Sequence, residues 1–202
     1  MADTTGGPRV AAIDDLPAVT AAIATAFLTD PVWGPYSFPD ERLRLAQATA
    51  WWEPQLRETM RFPWTLVTDG CEAVSVWIPP GQPELTAEGE RQLAVLTERL
   101  LGADQAAVVL DAFAALEDVH PHDPPHFYLS LLATHRDHRG HGLGMGLLAQ
   151  GLELIDVQGM PAYLESTNPD NNPRYQRHGF EQAGRVVLAN GHVITTMWRE
   201  PR

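Results

Sequence analysis

Phe127-Tyr128-Leu129-Ser130-Leu131-Leu132-Ala133-Thr134-His135-Arg136-Asp137-His138-Arg139-Gly140-His141-Gly142-Leu143-Gly144-Met145-Gly146 is the stretch on which the reading of this chain turns. It begins with an apolar run, Phe127 to Ala133. It is followed, from Leu147 to Val157, by apolar residues at helical spacing. The order is therefore strand, glycine loop, helix. Glycines stand at every second position, 140, 142, 144 and 146. Glycine accepts φ > 0 and lets a ligand approach the backbone amides with no Cβ in the way. The next helix offers unpaired N–H groups and the positive end of its dipole at its first turn. Together these make a cradle for a phosphate or pyrophosphate. Arg139, at the mouth, adds a fixed charge and a fork of donors. The competing reading is a helix whose first turn packs tightly and binds nothing.

Three phosphate loops can be compared with it. A Walker loop ends in Gly-Lys-Ser/Thr, and this chain has no lysine. A dinucleotide fingerprint needs G-x-G-x-x-G, whereas the glycines here run G-x-G-x-G-x-G. The third pattern, Arg-x-x-Gly-x-Gly, is met by Arg139, Gly142 and Gly144. It resembles the pyrophosphate loop of the GNAT superfamily of acyl-CoA-dependent N-acetyltransferases. A second stretch adds to this. Pro161 to Thr167 reads as another strand, followed by Asn168-Pro169-Asp170-Asn171-Asn172-Pro173-Arg174-Tyr175-Gln176-Arg177-His178-Gly179-Phe180. This resembles the later GNAT motif, with an Asn-containing loop, a short helix carrying a Tyr, and Gly-Phe after the fifth strand. Locally the chain is most similar to the puromycin N-acetyltransferases, over Ala73–Trp77, His126–Gly144 and Pro161–Phe180. It departs from them at His135-Arg136, where that group usually has proline. The strong resemblance covers about the last eighty residues.

The resemblance implies a mixed α+β fold, with a central seven-stranded twisted mixed sheet, helices on both faces and a splay between strands 4 and 5. It implies acetyl-CoA as co-substrate and no metal. The amides of Leu132, Ala133 and Thr134 would take the pantetheine arm. Those of Gly140, His141, Gly142, Leu143, Gly144 and Met145, with Arg139, would take the pyrophosphate. Asn171 would touch the pantetheine arm or orient the sheet, with Asn168 as its alternative. Tyr175 would contact the cofactor and serve as acid toward the departing thiolate; a free phenol, at about 10, is close to an alkyl thiol. The other reading of Tyr175 is a buried aromatic whose hydroxyl finds a partner. Glu165 is the candidate base, and a salt bridge to an arginine is its other reading. Strand alternation puts Tyr163 and Glu165 on one face and Leu164 and Ser166 on the other. His126 is the reserve base.

The implied function is transfer of acetyl from acetyl-CoA to a primary amine of a small molecule, an antibiotic or aminonucleoside among the candidates, by direct attack. The alternatives are a non-catalytic acyl-CoA sensor and an acetyltransferase of protein or peptide amines.

The chain has 202 residues, 44% hydrophobic and 20% charged, which suits one domain, 1–202. Its net charge of −12 argues against nucleic acid. No apolar run suits a bilayer, and the N-terminus lacks the pattern of a signal peptide, so a cytoplasmic protein without membrane partners, monomer or homodimer, is expected. Residues 1–7 are expected to be a flexible tail. A strand Arg9–Ala12 and a helix capped by Asp14 or Asp15, which Asp30-Pro31 ends, follow. The aromatic loop Val32–Pro39 is either a hydrophobic plug or a wall of the acceptor site, with Trp33 and Tyr36 as substrate-binding candidates beside His126. A helix from Asp40 to about Met60 is expected, then strands Phe62–Thr68 and Ala73–Ile78 around an Asp69-Gly70 turn. Helical patterns at 84–101 and 104–119 make an insertion, 84–120, between strands 3 and 4. The histidines at 120, 122 and 126 alternate with prolines, which argues against a metal cluster.

Overall fold

The computed structural model describes residues 8–202; the tail expected at residues 1–7 lies outside them. Seven strands are formed: β1 (Arg9–Val10), β2 (Thr65–Val67), β3 (Ala73–Ile78), β4 (Phe127–Thr134), β5 (Ala162–Ser166), β6 (Glu181–Val187) and β7 (Val193–Arg199). They make one sheet in the order β1-β2-β3-β4-β5-β7-β6. The β4–β5 pair is parallel and the others are antiparallel. The six α-helices are α1 (Leu16–Phe27), α2 (Arg44–Thr59), α3 (Ala87–Leu101), α4 (Ala103–Glu117), α5 (Leu143–Asp156) and α6 (Asn172–Arg177). The expected mixed seven-stranded sheet is present. None of the described helices is long and apolar enough to cross a membrane.

Apolar periodicity explains the helices. In α1, Leu16, Val19, Ala22 and Ile23 are buried on one face. Asp15 does not cap this helix through its side chain. Its carboxylate instead accepts from the Ala12 amide at 2.8 Å and pairs with Arg9 at 2.5 Å, which holds it below the usual carboxylate range. α2 starts at Arg44, later than the expected Asp40, because the Asp40 carboxylate caps the preceding turn through the Arg42 amide. On α2, Trp51 is fully buried and donates to Thr97 Oγ1 of α3 at 2.9 Å. That bond fastens the 84–120 insertion to the body of the protein.

The sheet differs from expectation at its first edge. β1 stops at Val10, and β2 begins only at Thr65, since Pro63 has no N–H to offer a ladder. The β2–β3 turn takes its positive φ, 58°, at Cys71 and not at Gly70. A Cβ on Gly70 would lie 2.4 Å from the Glu72 carboxylate, which would have to shift to admit it.

Two features of β4 position the site. Val76 pairs with Leu131 and Trp77 with Leu129, which leaves Ser130 as an extra, bulged residue. Before the bulge, Phe127 and Leu129 pack with Leu147, Leu148 and Leu152 of α5. After it, Leu131 and Ala133 pack on the opposite face with α1 and α2. The β4–β5 pairing ends at Leu129–Leu164, although β4 runs on to Thr134 and β5 to Ser166. The expected splay is therefore present. α5 lies close to β3 because residue 151 is glycine: a Cβ there would sit 2.7 Å from Trp77 Nε1. At the other end of α5, Arg199 of β7 forms a bidentate pair with Asp156, at 2.7 and 2.6 Å.

Candidate active site

The diverging ends of β4 and β5 open a cleft of about 630 Å³. Leu132, Ala133 and Thr134 line it from β4. Arg139, Gly140, Gly142, Leu143, Gly144 and Met145 line it from the loop and the first turn of α5. Asn171 and Tyr175 close the other side, with Asn168 beside them. Of the expected cofactor residues, His141 alone lies outside this lining. Its ring is exposed, with Nδ1 3.2 Å from the His138 carbonyl. Gly140 and Gly142 have φ of 86° and 76°, and a Cβ on either would meet nothing within 4 Å. The glycines thus leave empty space in front of the amides. The first bond of α5 runs from the Gly146 amide to the Gly142 carbonyl at 2.8 Å, so the preceding amides have no partner within the helix. Arg139 is fixed by a 2.5 Å bond to the Ala26 carbonyl at the end of α1. Arg174 and Arg177 also line the cleft. This cleft can hold a polyanion.

Tyr175 projects from α6 with its ring 6.1 Å from that of Phe180. Burial pushes its hydroxyl up to about 12, and the charge of Asp30 adds to the effect. The near match between a free phenol and a thiol is therefore lost. At every working pH this hydroxyl stays protonated and acts as a hydrogen-bond donor. Asp30 was read from the sequence only as a helix stop. Its buried carboxylate accepts from the Val32 and Trp33 amides, both at 2.9 Å, and from Thr167 Oγ1 at 2.7 Å. Asp30 lines the cleft and Thr167 lines a second cavity, so this bond is part of the partition between them.

The second cavity has a volume of about 500 Å³. β4 and β5 contribute Tyr128, Ser130 and Glu165. Trp33, Trp52 and Phe113 form an aromatic wall, and the segment after β3 contributes Glu84. The insertion supplies Glu117, and the linker after it His120 and His126. Trp33 and His126, two of the substrate-binding candidates, line this cavity. Tyr36 does not: it lines neither space and packs against the core, so at this residue the aromatic loop is a plug.

Glu165 has 4% of its side chain exposed. Its partners are Tyr128, whose hydroxyl donates to Oε2 at 2.6 Å, and His120, whose Nδ1 lies 3.4 Å from Oε1. The arginine partner considered for it is absent among the described residues. Hydrogen-bond bookkeeping fixes the protons here. The Pro124 carbonyl can only accept, so His126 Nδ1, 2.9 Å away, carries the hydrogen. Burial lowers the His126 pKa, so its Nε2 is a bare acceptor facing His120 Nε2 at 3.4 Å. His120 therefore donates from Nε2, and its Nδ1 lies 3.4 Å from Glu165 Oε1. Across the cavity, Ser130 Oγ donates to Glu84. Burial, reinforced by the charge of Glu165, pushes the Glu84 carboxyl up to about 7. The sequence reading missed Glu84, Glu117, His120, Tyr128 and Thr167. The one available signal was the rigid Pro79-Pro80-Gly81-Gln82-Pro83 run, which ends at Glu84 and aims it.

Residues 92–182 match the acetyltransferase (GNAT) domain. This segment contains β4, the glycine loop, α5, β5 and α6, that is, the whole cleft lining apart from Ala26, Phe27, Thr29 and Asp30. An acetyltransferase of Agrobacterium fabrum is 38% identical over 77 residues, which are 37% of this chain and 55% of that protein. The match thus spans about half the length of this curated relative. Among solved structures, one titled histone acetyltransferase HPA2 and related acetyltransferase, from Corynebacterium glutamicum, superimposes with a TM-score of 0.69. It is 22% identical, with 98% of each chain covered. Arylalkylamine N-acetyltransferase 2 from Aedes aegypti superimposes with a TM-score of 0.62 at 11% identity, covering 97% of this chain and 99% of that one. The sheet with its β4–β5 splay is the GNAT fold.

Proposed function

We propose that this protein is an acyl-CoA-dependent N-acetyltransferase that moves an acetyl group from acetyl-CoA to a primary amine of a small molecule by direct attack. The observation that carries this reading is the pair of spaces on either side of the β4–β5 splay. One is a glycine-floored cleft with three arginines, and the other a cavity with aromatic walls and carboxylates. Only the partition containing Asp30 and Thr167 separates them. A donor bound in the cleft and an acceptor bound in the cavity meet there. A cavity of about 500 Å³ has the volume of a small-molecule site. The arylalkylamine enzyme with the same fold acts, by its title, on such an amine. The resemblance to puromycin N-acetyltransferases keeps aminonucleosides among the candidates.

The residues divide the chemistry as follows. Amides of the first turn of α5, with Arg139, hold the pyrophosphate. Amides of Leu132 to Thr134 hold the pantetheine arm and polarise the thioester carbonyl. Glu165 takes one proton from the entering ammonium, directly or through water, while Tyr128 and His120 hold the carboxylate in place. The neutral nitrogen attacks the carbonyl carbon; the N–C bond forms and the C–S bond breaks. The Tyr175 hydroxyl donates a hydrogen bond to the leaving sulfur, which then takes up a proton as CoA thiol. The test is free-thiol release from acetyl-CoA across an amine panel that includes arylalkylamines, puromycin and aminoglycosides, with a 42-dalton acetyl gain read as about that mass on the amine. Failure of every amine, with acetyl-CoA still binding, would leave a CoA-binding module.

A further inference from the structure

We propose that the acceptor is a dicationic amine: Glu84 holds its second positive group while Glu165 faces the nitrogen that is acetylated. This rests on the acetyltransferase reading above and adds the class of its acceptor.

Three observations carry it. First, among the lining residues of the 500 Å³ cavity there are three carboxylates, Glu84, Glu117 and Glu165, and no arginine. Second, Glu165 Oε1 is buried with no hydrogen-bond donor in reach, on a side chain 4% exposed and facing the cavity. His120 Nδ1 lies 3.4 Å away and makes no hydrogen bond to this oxygen. Third, the Glu84 carboxylate takes a single hydrogen bond among the described residues, from Ser130. The Arg61 guanidinium, which bonds the Glu84 backbone carbonyl at 2.9 Å, is otherwise turned to the carbonyls of Glu58, at 2.9 Å, and Pro83, and lies 3.9 Å from the Glu58 carboxylate. Glu84 is half-buried, and a carboxylate partly withdrawn from water gains from a counter-charge or a proton. Among the described residues no arginine bonds its carboxylate.

The groups facing Glu84 are Ser130 of β4, Glu165 of β5, Glu117 of α4 and His120 of the linker. Two of the four are negative, so an added cation is favoured by all three carboxylates together. Trp33, Trp52, Phe113 and Tyr128 present ring faces and edges between them, which suits an ammonium and its carbon chain. With its pKa near 7 in the empty cavity, the Glu84 carboxyl is mostly protonated at pH 6 and mostly ionised at pH 8. A bound cation favours the ionised form, so affinity for a dication rises with pH across this window. Both nitrogens of an alkyl diamine stay charged throughout it, since such amines titrate near 10.

The test is calorimetric binding to the CoA-saturated protein, where no chemistry occurs. Butylamine is compared with 1,4-diaminobutane, and benzylamine with 1,4-bis(aminomethyl)benzene. At pH 8 at least one diamine should bind about tenfold or more tightly than its monoamine. The preference should shrink at pH 6, and in Glu84→Gln it should fall to within about threefold at pH 8. The pH contrast in the wild type needs no variant, so a misfolded Glu84→Gln does not remove the test. Equal affinities at pH 8, no diamine binding at millimolar concentration, or a preference that survives in a folded Glu84→Gln would overturn the proposal. Monoamine acetylation without any diamine preference overturns this inference alone. Diamine binding without turnover of any amine overturns the transferase reading and leaves the dication site standing.

Discussion

Replacing Gly142 by alanine separates a glycine kept for the backbone from one kept for a ligand. Gly142 sits at φ 76°, ψ 2°, just before α5. Alanine in that left-handed region costs about 1–2 kcal/mol. For a chain of this size each kcal/mol lowers Tm by about 2–4 °C, so a fall of about 2–8 °C is expected. No clash adds to it, because a Cβ there meets nothing within 4 Å. Gly191, in the β6–β7 turn, gives the matched control. Its φ is 82°, a Cβ there also meets nothing, and it lines neither cavity. Gly191→Ala should show the same thermal cost. Only at residue 142 does the new methyl enter the space in front of the α5 amides. Losing one charge-assisted hydrogen bond to the pyrophosphate corresponds to about 1.5–3 kcal/mol, or about 10–150-fold in Kd. Differential scanning fluorimetry gives the first quantity and calorimetry with CoA the second. If Gly142→Ala and Gly191→Ala bind CoA with the same affinity, the cleft is not the pyrophosphate site.

Three further outcomes are expected. Tyr175→Phe should lower turnover, and turnover over KM for the amine, together by about tenfold or more, with acetyl-CoA binding retained. Since burial holds the hydroxyl near 12, the ratio of wild type to variant should stay constant from pH 6 to pH 9. Glu165→Gln should cut turnover by about 10²–10⁴-fold and leave acetyl-CoA affinity unchanged, with the gap narrowing as pH rises and more amine enters neutral. Asp156→Ala should strand the nearly buried Arg199 guanidinium, at a cost of about 3–5 kcal/mol read in thermal melts at pH 7. Arg199 holds the Asp156 carboxyl below its ordinary 3.8, so this stabilisation is present above that pH and lost as pH falls through the lowered value. Melts near pH 3 should therefore show a smaller deficit.

Legibility followed the range of the signal. β4 and β5, Phe127–Thr134 and Ala162–Ser166, lie within a residue at each end of the stretches legible in the sequence, Phe127–Ala133 and Pro161–Thr167, because an apolar run is a local pattern. The glycine loop was legible for the same reason: the φ values it needs are written in its residue types. β2 was read too long because Phe62 is apolar but belongs to the turn after α2, with its amide on the Thr59 carbonyl at 3.0 Å. Asp30 looked like a helix stop, since nothing in Thr-Asp-Pro announces that Thr167, far along the chain, will donate to it. Glu84 and His120 carry no motif either. They are brought together with Glu165 by tertiary packing: one lies at the end of the proline-rich crossing after β3, the other at the exit of the insertion. The acceptor side is built from such long-range meetings, so composition and spacing could not give it.

The bulge at Ser130 explains how one strand serves both spaces. In a regular strand Tyr128, Ser130, Leu132 and Thr134 would share one face. The extra residue changes that alternation, so Tyr128 and Leu131 pack on the α1–α2 side, while Leu129 and Leu132 pack on the α5 side. Upstream of the bulge, β4 gives its polar group to the acceptor cavity, as Tyr128 on Glu165. Downstream, it gives Leu132 to Thr134 to the cleft, where β5 has already parted from it and its backbone is free to pair with a ligand. The bulged residue itself, Ser130, spends its hydroxyl on Glu84. The bulge lies in the β3–β4 ladder one residue past the last β4–β5 pair, Leu129–Leu164, so it divides the part of β4 that serves the acceptor cavity from the edge that serves the cleft.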